Sequence, residues 1–283
     1  MDARRRQLIV VSNRLPFVFH REANGAWRVE SGSGGLVSAL LPVLRHRGGT
    51  WIGWPGTSDA SDDLEPILAK TSAGAGYALQ PVHLTAEEVH DFYHGFSNEI
   101  VWPLFHDLQS LCNFEPKYWR TYREVNRKFA QTILRNSHEE VFVWVHDYHL
   151  MNVAMELRKA GCASRIGFFL HIPFPPLDLF VKLPWCARLI EALLDYDLVG
   201  FQTSRDRRNF VECLKALVKD AQIDGRGQII TAIVGAKRVR IGAFPIGIDF
   251  NAFLRQTATP QVAAKANELH TLLPNRRLVL GID

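Results

Sequence analysis

Two short apolar segments separated by roughly one helix constrain the fold of this chain more than any other feature. The segments are 141–145 (VFVWV) and 166–170 (IGFFL), and a helix-like stretch, MNVAMELRKAG, lies between them. Segments this rich in β-branched and aromatic residues are typical of strands that are buried on both faces of a parallel sheet. The sequence therefore predicts a β-α-β unit inside an α/β domain.

Both predicted strands are followed directly by polar residues. His146 and Asp147 follow the first strand, and His171 follows the second. Ligands of open parallel sheets bind outside the carboxyl ends of the strands, so we expect Asp147 and His171 to face one crevice. We expect no metal there, because His146, Asp147 and His149 would leave one strand end in different directions and make a poor coordination sphere.

The remaining pattern predicts alternating strands and helices around this unit. Asn24-Gly25 between two partly alternating segments predicts a β-hairpin with a type I′ turn, and Thr85 with Glu88 predicts a capping box. The aromatic-rich segment 91–107 is predicted to be irregular, since Gly95 and Pro103 interrupt it. Its aromatic residues either pack in the core or form a platform for a sugar ring. Further strands are predicted over 7–12, 49–54, 77–84, 198–202, 229–234 and 238–244, and helices over 59–69, 116–135, 183–194 and 204–218.

A glycine-rich turn, Ser31–Gly35 (SGSGG), precedes an apolar-periodic segment. Such a turn at the start of a helix presents free backbone N–H groups to an anion. Many glycine-rich turns bind nothing, so the turn by itself leaves phosphate binding open. It does not match G-x-G-x-x-G and does not follow a parallel strand, which argues against a dinucleotide site.

Composition excludes several classes of protein. The net charge of +4 over 283 residues is small, and the basic clusters at 4–6 and 237–240 are interpreted as solvated surface rather than a nucleic-acid footprint. The four cysteines are far apart and are interpreted as reduced thiols of a cytoplasmic protein. The apolar run 8–11 is too short for a signal peptide, and no segment has the ~20 apolar residues of a membrane helix.

Eight motifs follow one another along the chain: VVSNRLP, SGSGGLVSAL, WIGWPG, FYHGFSNEIVWPLFH, VWVHDYHL, RIGFFLHIPFP, DLVGFQT and FPIGID. These motifs, in this order, resemble those of trehalose-6-phosphate synthases, which are retaining glycosyltransferases of the GT-B architecture. The resemblance runs from about Leu8 to the last residue and implies a Rossmann-like, doubly wound parallel sheet with a β-hairpin insertion near the N-terminus.

The resemblance also implies a division into domains. Residues 1–250 would form the acceptor-side domain, and residues 251–283 the linker and first strand of a donor-side domain, with that strand over 277–282. In the family an arginine and a lysine that neutralise the donor diphosphate follow that strand. We therefore expect no glucosyl transfer by the 283-residue chain alone.

Eight residues match functional positions of the family. Without the motifs, Arg14 would be interpreted as a surface arginine, Asp147 as a strand-end cap and His171 as a core histidine. Arg14 is implied to bind the acceptor phosphate, and Asp147 and His171 are implied to be catalytic. The acceptor-binding set is Arg14, Trp54, Tyr93, Trp102 and Asp147, and the donor-binding set is Gly34, Gly35 and His171.

The implied reaction joins UDP-glucose and glucose 6-phosphate into α,α-trehalose 6-phosphate without a cofactor. The family is described as using front-face attack, in which the leaving phosphate accepts the proton of the acceptor and the protein supplies positioning and electrostatics. Two alternatives remain open: a sister enzyme with another phosphorylated acceptor such as glycerol 3-phosphate, and a truncated, non-catalytic sugar-phosphate-binding module. An uncovered cleft face would also favour homo-oligomers.

Overall fold

A nine-stranded sheet organises the first of two compact units, Met1–Pro245 and Ile246–Asp283. The computed structural model describes residues 7–32, 34–58, 64–137, 141–274, 276, 277 and 279. The strands are β1 (Gln7–Arg14), β2 (Phe17–Arg21), β3 (Trp27–Ser31), β4 (Thr50–Trp54), β5 (Ala78–Pro81), β6 (Val141–His146), β7 (Arg165–Leu170), β8 (Leu198–Phe201), β9 (Gln222–Asp224), β10 (Ile229–Val234) and β11 (Lys237–Ala243).

Helices connect most of these strands. A π-helix spans Val89–Val101, and short 3-10 turns occur at Gln109–Leu111 and Tyr148–Leu150. The α-helices are α1 (Gly35–Arg47), α2 (Leu64–Ala75), α3 (Ala86–Glu88), α4 (Trp102–Phe105), α5 (Pro116–Asn136), α6 (Val153–Lys159), α7 (Leu177–Phe180), α8 (Cys186–Leu193), α9 (Ser204–Leu217), α10 (Phe250–Thr257) and α11 (Pro260–Leu272).

The sheet is doubly wound, as the sequence predicts. Its strand order is β5-β4-β1-β6-β7-β8-β11-β10-β9. The first seven strands in this order, from β5 through β1 and β8 to β11, pair in parallel. The last two, β10 and β9, extend the sheet by antiparallel pairing. The chain adds β4 and β5 on one side of β1 and then β6, β7 and β8 on the other. This is the Rossmann order, with its switch point between β1 and β6.

Helices cover the two faces of the sheet with separate cores. Leu8 and Val10 of β1 point to the face that α1 and α2 cover, while Ile9 and Val11 point to the face that packs on α5, α6, α8 and α9. The alternating direction of side chains along a strand explains this division. Burial on both faces also explains the continuous apolar sequence of β1, β6 and β7.

The predicted hairpin is present, but its turn is not of type I′. β2 and β3 pair antiparallel, with Arg21 opposite Trp27 as the last pair. Gly25 has φ 83°, whereas Asn24 is not among the residues with positive φ, and the Glu22 N–H donates to the Ala26 carbonyl. Type I′ needs two left-handed residues, so the loop is longer than predicted and has only one.

The aromatic-rich segment is helical, which corrects the prediction of irregular structure. Residues 89–101 form the π-helix, and Gly95 does not interrupt it. A Cβ at Gly95 would lie 2.6 Å from the ring of Tyr118, so this glycine provides close packing against α5. π-Helices are rare and often occur at functional sites. The Thr85–Glu88 capping box forms as predicted before the π-helix.

Other boundaries differ modestly from the predictions. The strand expected over 77–84 is only Ala78–Pro81. The helix expected over 59–69 is observed from Leu64 to Ala75, and residues 59–63 lie outside the described part. The predicted strand over 277–282 lies mostly outside the described residues.

The second unit contains α10 and α11. Phe250, Phe253 and Leu254 of α10 are more than half exposed. Among the helices of the described residues, none combines the length and the apolar character that crossing a bilayer requires.

Candidate active site

Four adjacent strands bring predicted site residues to one edge of the sheet. Trp54 ends β4 and Arg14 ends β1, while Asp147 directly follows β6 and His171 directly follows β7. These strands are consecutive neighbours across the switch point. At the switch point, the connections that follow β1 and β6 lead to opposite sides of the sheet and leave a crevice at the carboxyl ends of the strands. The topology therefore places these residues around one crevice.

Arg14 lies against two aromatic rings. Its guanidinium carbon is 4.8 Å from the ring centre of Trp54 and 5.4 Å from that of Tyr93. Both contacts have cation–π geometry, which orients a guanidinium without neutralising its charge. Within the described residues the guanidinium has no hydrogen bond and no carboxylate partner. An exposed arginine oriented in this way retains its donors for an incoming anion.

The backbone beneath Arg14 is closely packed. The Ser12 hydroxyl donates to the Arg14 carbonyl at 2.7 Å, and the Trp51 indole donates to the same hydroxyl at 2.8 Å. A Cβ at Gly53 would lie 2.6 Å from the carbonyl carbon of Arg14 and 2.7 Å from the nitrogen of Leu15. Glycine at position 53 is therefore what allows β4 to approach Arg14 this closely.

His149 supports Tyr93 from behind and was not predicted to have this role. The two rings stack with centres 5.7 Å apart and an interplanar angle of 11°. His149 is buried, and within the described residues neither ring nitrogen has a hydrogen-bond partner. Burial, with a further contribution from the positive charge of Arg14, lowers the His149 pKa to about 3. The imidazole is therefore neutral and adds no charge that would repel Arg14.

Asp147 occupies a strained backbone position. Its φ is 74°, in the left-handed region that few residues other than glycine adopt. Its carboxylate Oδ1 accepts from the N–H of Tyr148 at 3.0 Å and from the N–H of His171 at 3.3 Å. Burial raises the Asp147 pKa to about 6, although these two N–H groups oppose the shift. Asp147 is thus a strand-end cap, and its Oδ2 has no partner among the described residues.

His171 is hydrogen-bonded to a second histidine, His146. Nδ1 of His146 and Nε2 of His171 are 3.0 Å apart, and burial lowers the pKa of both imidazoles, that of His171 to about 4. Nε2 of His146 is buried without a partner in the described part of the chain. A buried unpaired N–H is rarer than a buried unpaired acceptor. We therefore assign the proton to Nδ1 of His146, which donates to His171 and leaves Nδ1–H of His171 as a donor.

Two side chains of one helix, α5, fix the loop that follows β6. Tyr122 of α5 donates to the Tyr148 carbonyl at 2.9 Å and accepts from the Met151 N–H at 3.0 Å. Asn126 of α5 donates to the His149 carbonyl at 3.0 Å. The sequence predicts the helix over 116–135, and its apolar residues at spacings of three and four, Tyr122 among them, indicate only a buried face. Its hydroxyl also holds the loop that carries Asp147, a role that no local pattern reveals.

The π-helix contributes a second anchor for this loop. The Tyr148 hydroxyl donates to Oδ1 of Asn98 at 2.9 Å. Asn98 lies five residues after Tyr93, and the five-residue hydrogen-bond spacing of a π-helix places such residues one above the other. The same helix therefore positions Tyr93 beside Arg14 and fixes the neighbouring loop.

The remaining three predicted residues lie apart from these contacts. Trp102 is 39% exposed and stacks on His106 with ring centres 4.2 Å apart, and within the described residues it makes no ring contact with Trp54 or Tyr93. Gly34 and Gly35 precede and begin α1, where no side chain caps the helix and its first turn holds no acidic residue. A Cβ at either glycine would meet no atom within 4 Å, so this helix N-terminus is open.

Comparison with known proteins agrees with this architecture. The chain is 41% identical to a trehalose-6-phosphate synthase of Mycobacterium sp. (strain KMS) and 38% identical to one of Mycobacterium tuberculosis (strain ATCC 25618 / H37Rv), over 97% of this chain and 56% of each relative. It therefore spans about half the length of the curated relatives it matches.

Solved structures give the same result. An α,α-trehalose-phosphate synthase (UDP-forming) from Burkholderia xenovorans in complex with glucose-6-phosphate matches with a TM-score of 0.75 and 30% identity, over 93% of this chain and 56% of that one. A structure described as trehalose-6-phosphate from E. coli bound with UDP-2-fluoro glucose matches with a TM-score of 0.73 and 34% identity, over 93% and 54% of the two chains.

The strand order and these structural neighbours define an α/β domain of the GT-B class of glycosyltransferases. The model of Glycosyltransferase family 20 matches residues 6–283. The chain belongs to glycosyltransferase family 20.

Proposed function

We propose that residues 1–250 are the acceptor-side domain of a trehalose-6-phosphate synthase and bind glucose 6-phosphate at the switch-point crevice. Residues 251–283 would be the linker and first strand of the donor-side domain. The observation that carries the proposal is the guanidinium of Arg14, which Trp54 and Tyr93 orient at the switch point and which has no carboxylate partner among the described residues. A sugar phosphate combines a dianion with an apolar ring face and polar edges, which this crevice complements.

Each candidate side chain has a chemical role in this proposal. Arg14 holds the acceptor phosphate through paired N–H donors. Oδ2 of Asp147 accepts a hydrogen bond from a sugar hydroxyl, and Trp102 forms an exposed aromatic wall. Nδ1–H of His171 donates to a hydroxyl of the donor glucose. The fixed loop after β6 holds the reacting groups at a constant distance, which is how positioning lowers a barrier.

The donor in this proposal is UDP-glucose, and Gly34 and Gly35 receive its phosphates. The open N-terminus of α1 supports this, because uncapped N–H groups and the helix dipole favour an anion. The glucosyl group is transferred with retained configuration by front-face attack, and the leaving phosphate accepts the acceptor's proton. In this proposal the acceptor-side domain supplies part of the geometry and electrostatics, the donor-side domain supplies the rest, and the step uses no cofactor.

We also place the protein in the cytoplasm as a homo-oligomer. The four cysteines are all free thiols, which supports a reducing compartment. The exposed apolar residues of α10, Phe250, Phe253 and Leu254, support self-association.

Calorimetry of the 283-residue chain with glucose 6-phosphate tests the proposal. A hydrogen bond to a charged group is worth about 1.5–3 kcal/mol, so Arg14→Ala should weaken binding roughly 10- to 150-fold. Arg14→Lys should fall between the two, because lysine keeps the charge and loses the planar fork. Binding of unphosphorylated glucose should barely change.

Arg21 provides a matched control. It is another arginine placed over an indole, with its guanidinium carbon 5.8 Å from the ring centre of Trp27, but it lies on the hairpin. Arg21→Ala should therefore leave glucose 6-phosphate binding intact. Equal losses in the two alanine variants, or equal losses for both sugars in Arg14→Ala, would contradict the assignment of Arg14 to the phosphate.

A further inference from the structure

A groove rich in arginine lies at the opposite edge of the sheet from the candidate active site. Its volume is about 530 Å³. Arg165 begins β7, and His171 follows the same strand, so a strand of six residues separates the groove from the crevice by about 20 Å. The groove is lined by Phe142, Arg165, Asp197, Leu198, Thr231, Arg238 and Arg240.

The register of the sheet places three arginines on one face. Leu198 of β8 pairs with Gly167 of β7 on one side and with Arg240 of β11 on the other. Laterally paired residues point to the same face, and so do residues two positions apart along a strand. Arg165 and Arg238 each precede a paired residue by two positions. All three arginines therefore extend from the same face of three neighbouring strands.

These arginines have no partner within the described part of the chain. None forms a hydrogen bond or an ion pair through its side chain there, and all three are exposed. Asp197 provides the only carboxylate among the lining residues, and its Oδ2 already accepts from Arg158 at 2.9 Å and from the N–H of Ile166 at 2.6 Å. The groove thus concentrates three positive charges, and within the described residues none of them is paired with a carboxylate.

Unlike the three arginines, a neighbouring lysine has a carboxylate partner. The adjacent Lys237 is paired with Asp195 at 2.6 Å. The cluster 237–240 alone resembles ordinary solvated surface, but the fold adds Arg165 from a strand more than 70 residues earlier, together with the hydroxyl of Thr231 and the ring of Phe142. Three cations on one face of the sheet repel one another when the only lining carboxylate is already hydrogen-bonded to another arginine, and an anion between them would relieve that repulsion.

We infer that this groove is a binding site for a small organic phosphate that carries at least two negative charges. The planar guanidinium group matches phosphate oxygens in pairs, which makes arginine the preferred residue for such ligands. The volume lies within the range of small-molecule pockets. The site is separate from the crevice that contains Arg14, so it does not depend on the proposed acceptor binding.

The test is calorimetric titration of the 283-residue chain with inorganic pyrophosphate at low salt. The chain carries Arg14→Ala, which removes the proposed ligand of the acceptor phosphate. Pyrophosphate bound at the N-terminus of α1 would be insensitive to substitutions in the groove, so the groove variants separate the two sites. We expect a Kd below about 1 mM, the range of a weak specific ligand. Arg240→Gln should weaken binding at least roughly tenfold, as expected for the loss of one charged hydrogen bond. Arg165→Gln combined with Arg240→Gln should abolish it.

Arg226→Gln is the control, because Arg226 is an exposed arginine outside the groove. It should leave pyrophosphate affinity unchanged. All variants should keep the melting temperature of the parent, because the substituted side chains are exposed and have no partner within the described residues. Absent binding at millimolar pyrophosphate would overturn the inference. Equal weakening by Arg226→Gln and Arg240→Gln would overturn it as well.

Competition against pyrophosphate then identifies the source of the phosphate. Displacement by adenosine diphosphate identifies a nucleotide, and displacement by a hexose bisphosphate identifies a sugar phosphate. Either result supports an organic phosphate as the ligand. Displacement by neither would show that the groove holds inorganic anions only and would overturn the proposed ligand class.

Discussion

The two corners of the candidate active site hold their polar groups in different ways. At the ends of β1 and β4, Arg14 is oriented by the faces of Trp54 and Tyr93, and its charge has no partner in the described residues. At the ends of β6 and β7, a hydrogen bond from the backbone N–H of His171 to the carboxylate of Asp147 joins the two residues, which are half-buried and shifted in pKa.

This difference indicates a division of labour. Cation–π contacts leave every N–H donor of a guanidinium available, so the Arg14 corner suits the capture of a mobile, charged group. Hydrogen bonds fix a carboxylate and an imidazole in one orientation, so the Asp147 corner suits the exact placement of hydroxyls. Substitutions at the two corners should therefore change the free energy of unfolding by different amounts.

The largest expected effect concerns the backbone beneath the Arg14 corner. Gly53→Ala would place a Cβ 2.6–2.9 Å from three backbone atoms of Arg14 and Leu15. Neighbouring strands would have to move apart, so the free energy of unfolding should fall by at least about 3 kcal/mol. Chemical denaturation measures this loss.

Gly34→Ala is the control for that substitution. Its backbone is extended and its Cβ would meet no atom within 4 Å, so its stability should match that of the parent. If the Gly53→Ala protein is as stable as the Gly34→Ala protein, the backbone at the Arg14 corner tolerates movement. The claim that close packing fixes this corner would then be wrong.

A smaller loss is expected at the Asp147 corner from Tyr122→Phe. The change removes one buried hydroxyl that serves both the Tyr148 carbonyl and the Met151 N–H, and leaves both unpaired. The free energy of unfolding should fall by about 2 kcal/mol. Tyr77→Phe is the matched control, because the buried Tyr77 hydroxyl has no partner in the described residues. If both substitutions cost the same, Tyr122 does not anchor the loop.

The last prediction is a pH dependence of stability, in which the contributions of the carboxylate and the histidines oppose each other. Burial raises the Asp147 pKa from 3.8 to about 6, so the native state binds this proton more tightly than the unfolded state does. The proton therefore stabilises the native state at low pH, and this contribution is lost as the pH rises through 6. His149 and His171 act in the opposite direction. Their pKa values fall from 6.5 to about 3 and about 4, so their contribution is lost as the pH falls through this range.

Asp147→Asn isolates the carboxylate from the histidines. Asparagine keeps the accepting oxygen and tolerates a left-handed backbone, so the variant should fold normally. Urea unfolding at several pH values measures the free energy of unfolding of both proteins. The value for Asp147→Asn should increase relative to that of the parent as the pH rises from about 4 to about 6.5, because only the parent loses a proton from residue 147. A stability difference that stays constant over this range would show that Asp147 is not titrating as described.

The sequence predicted what depends on local pattern and on chain order. The apolar runs at 141–145 and 166–170 were enough to place Asp147 and His171 at neighbouring strand ends, because parallel strands must present their carboxyl ends on the same edge. The resemblance to family motifs added roles for Arg14, Trp54 and Tyr93. Those roles remain predictions, although the structure brings these three side chains together.

What the sequence did not reveal depends on contacts between distant elements. The π-helix requires Gly95 to accept the ring of Tyr118, and neither residue indicates the other. His149 resembles an ordinary polar residue until its ring is found stacked on Tyr93. The tight turn at Asn24 was predicted wrongly, because the length of a hairpin loop is set by strand register rather than by the dipeptide alone.

A crystal structure of the chain with glucose 6-phosphate tests the central claim most directly. It should show phosphate oxygens within about 3 Å of the terminal nitrogens of Arg14, and a sugar hydroxyl bonded to Oδ2 of Asp147. A phosphate bound elsewhere, for example between Arg165 and Arg240, with Arg14 unengaged, would contradict the assignment of this crevice to the acceptor.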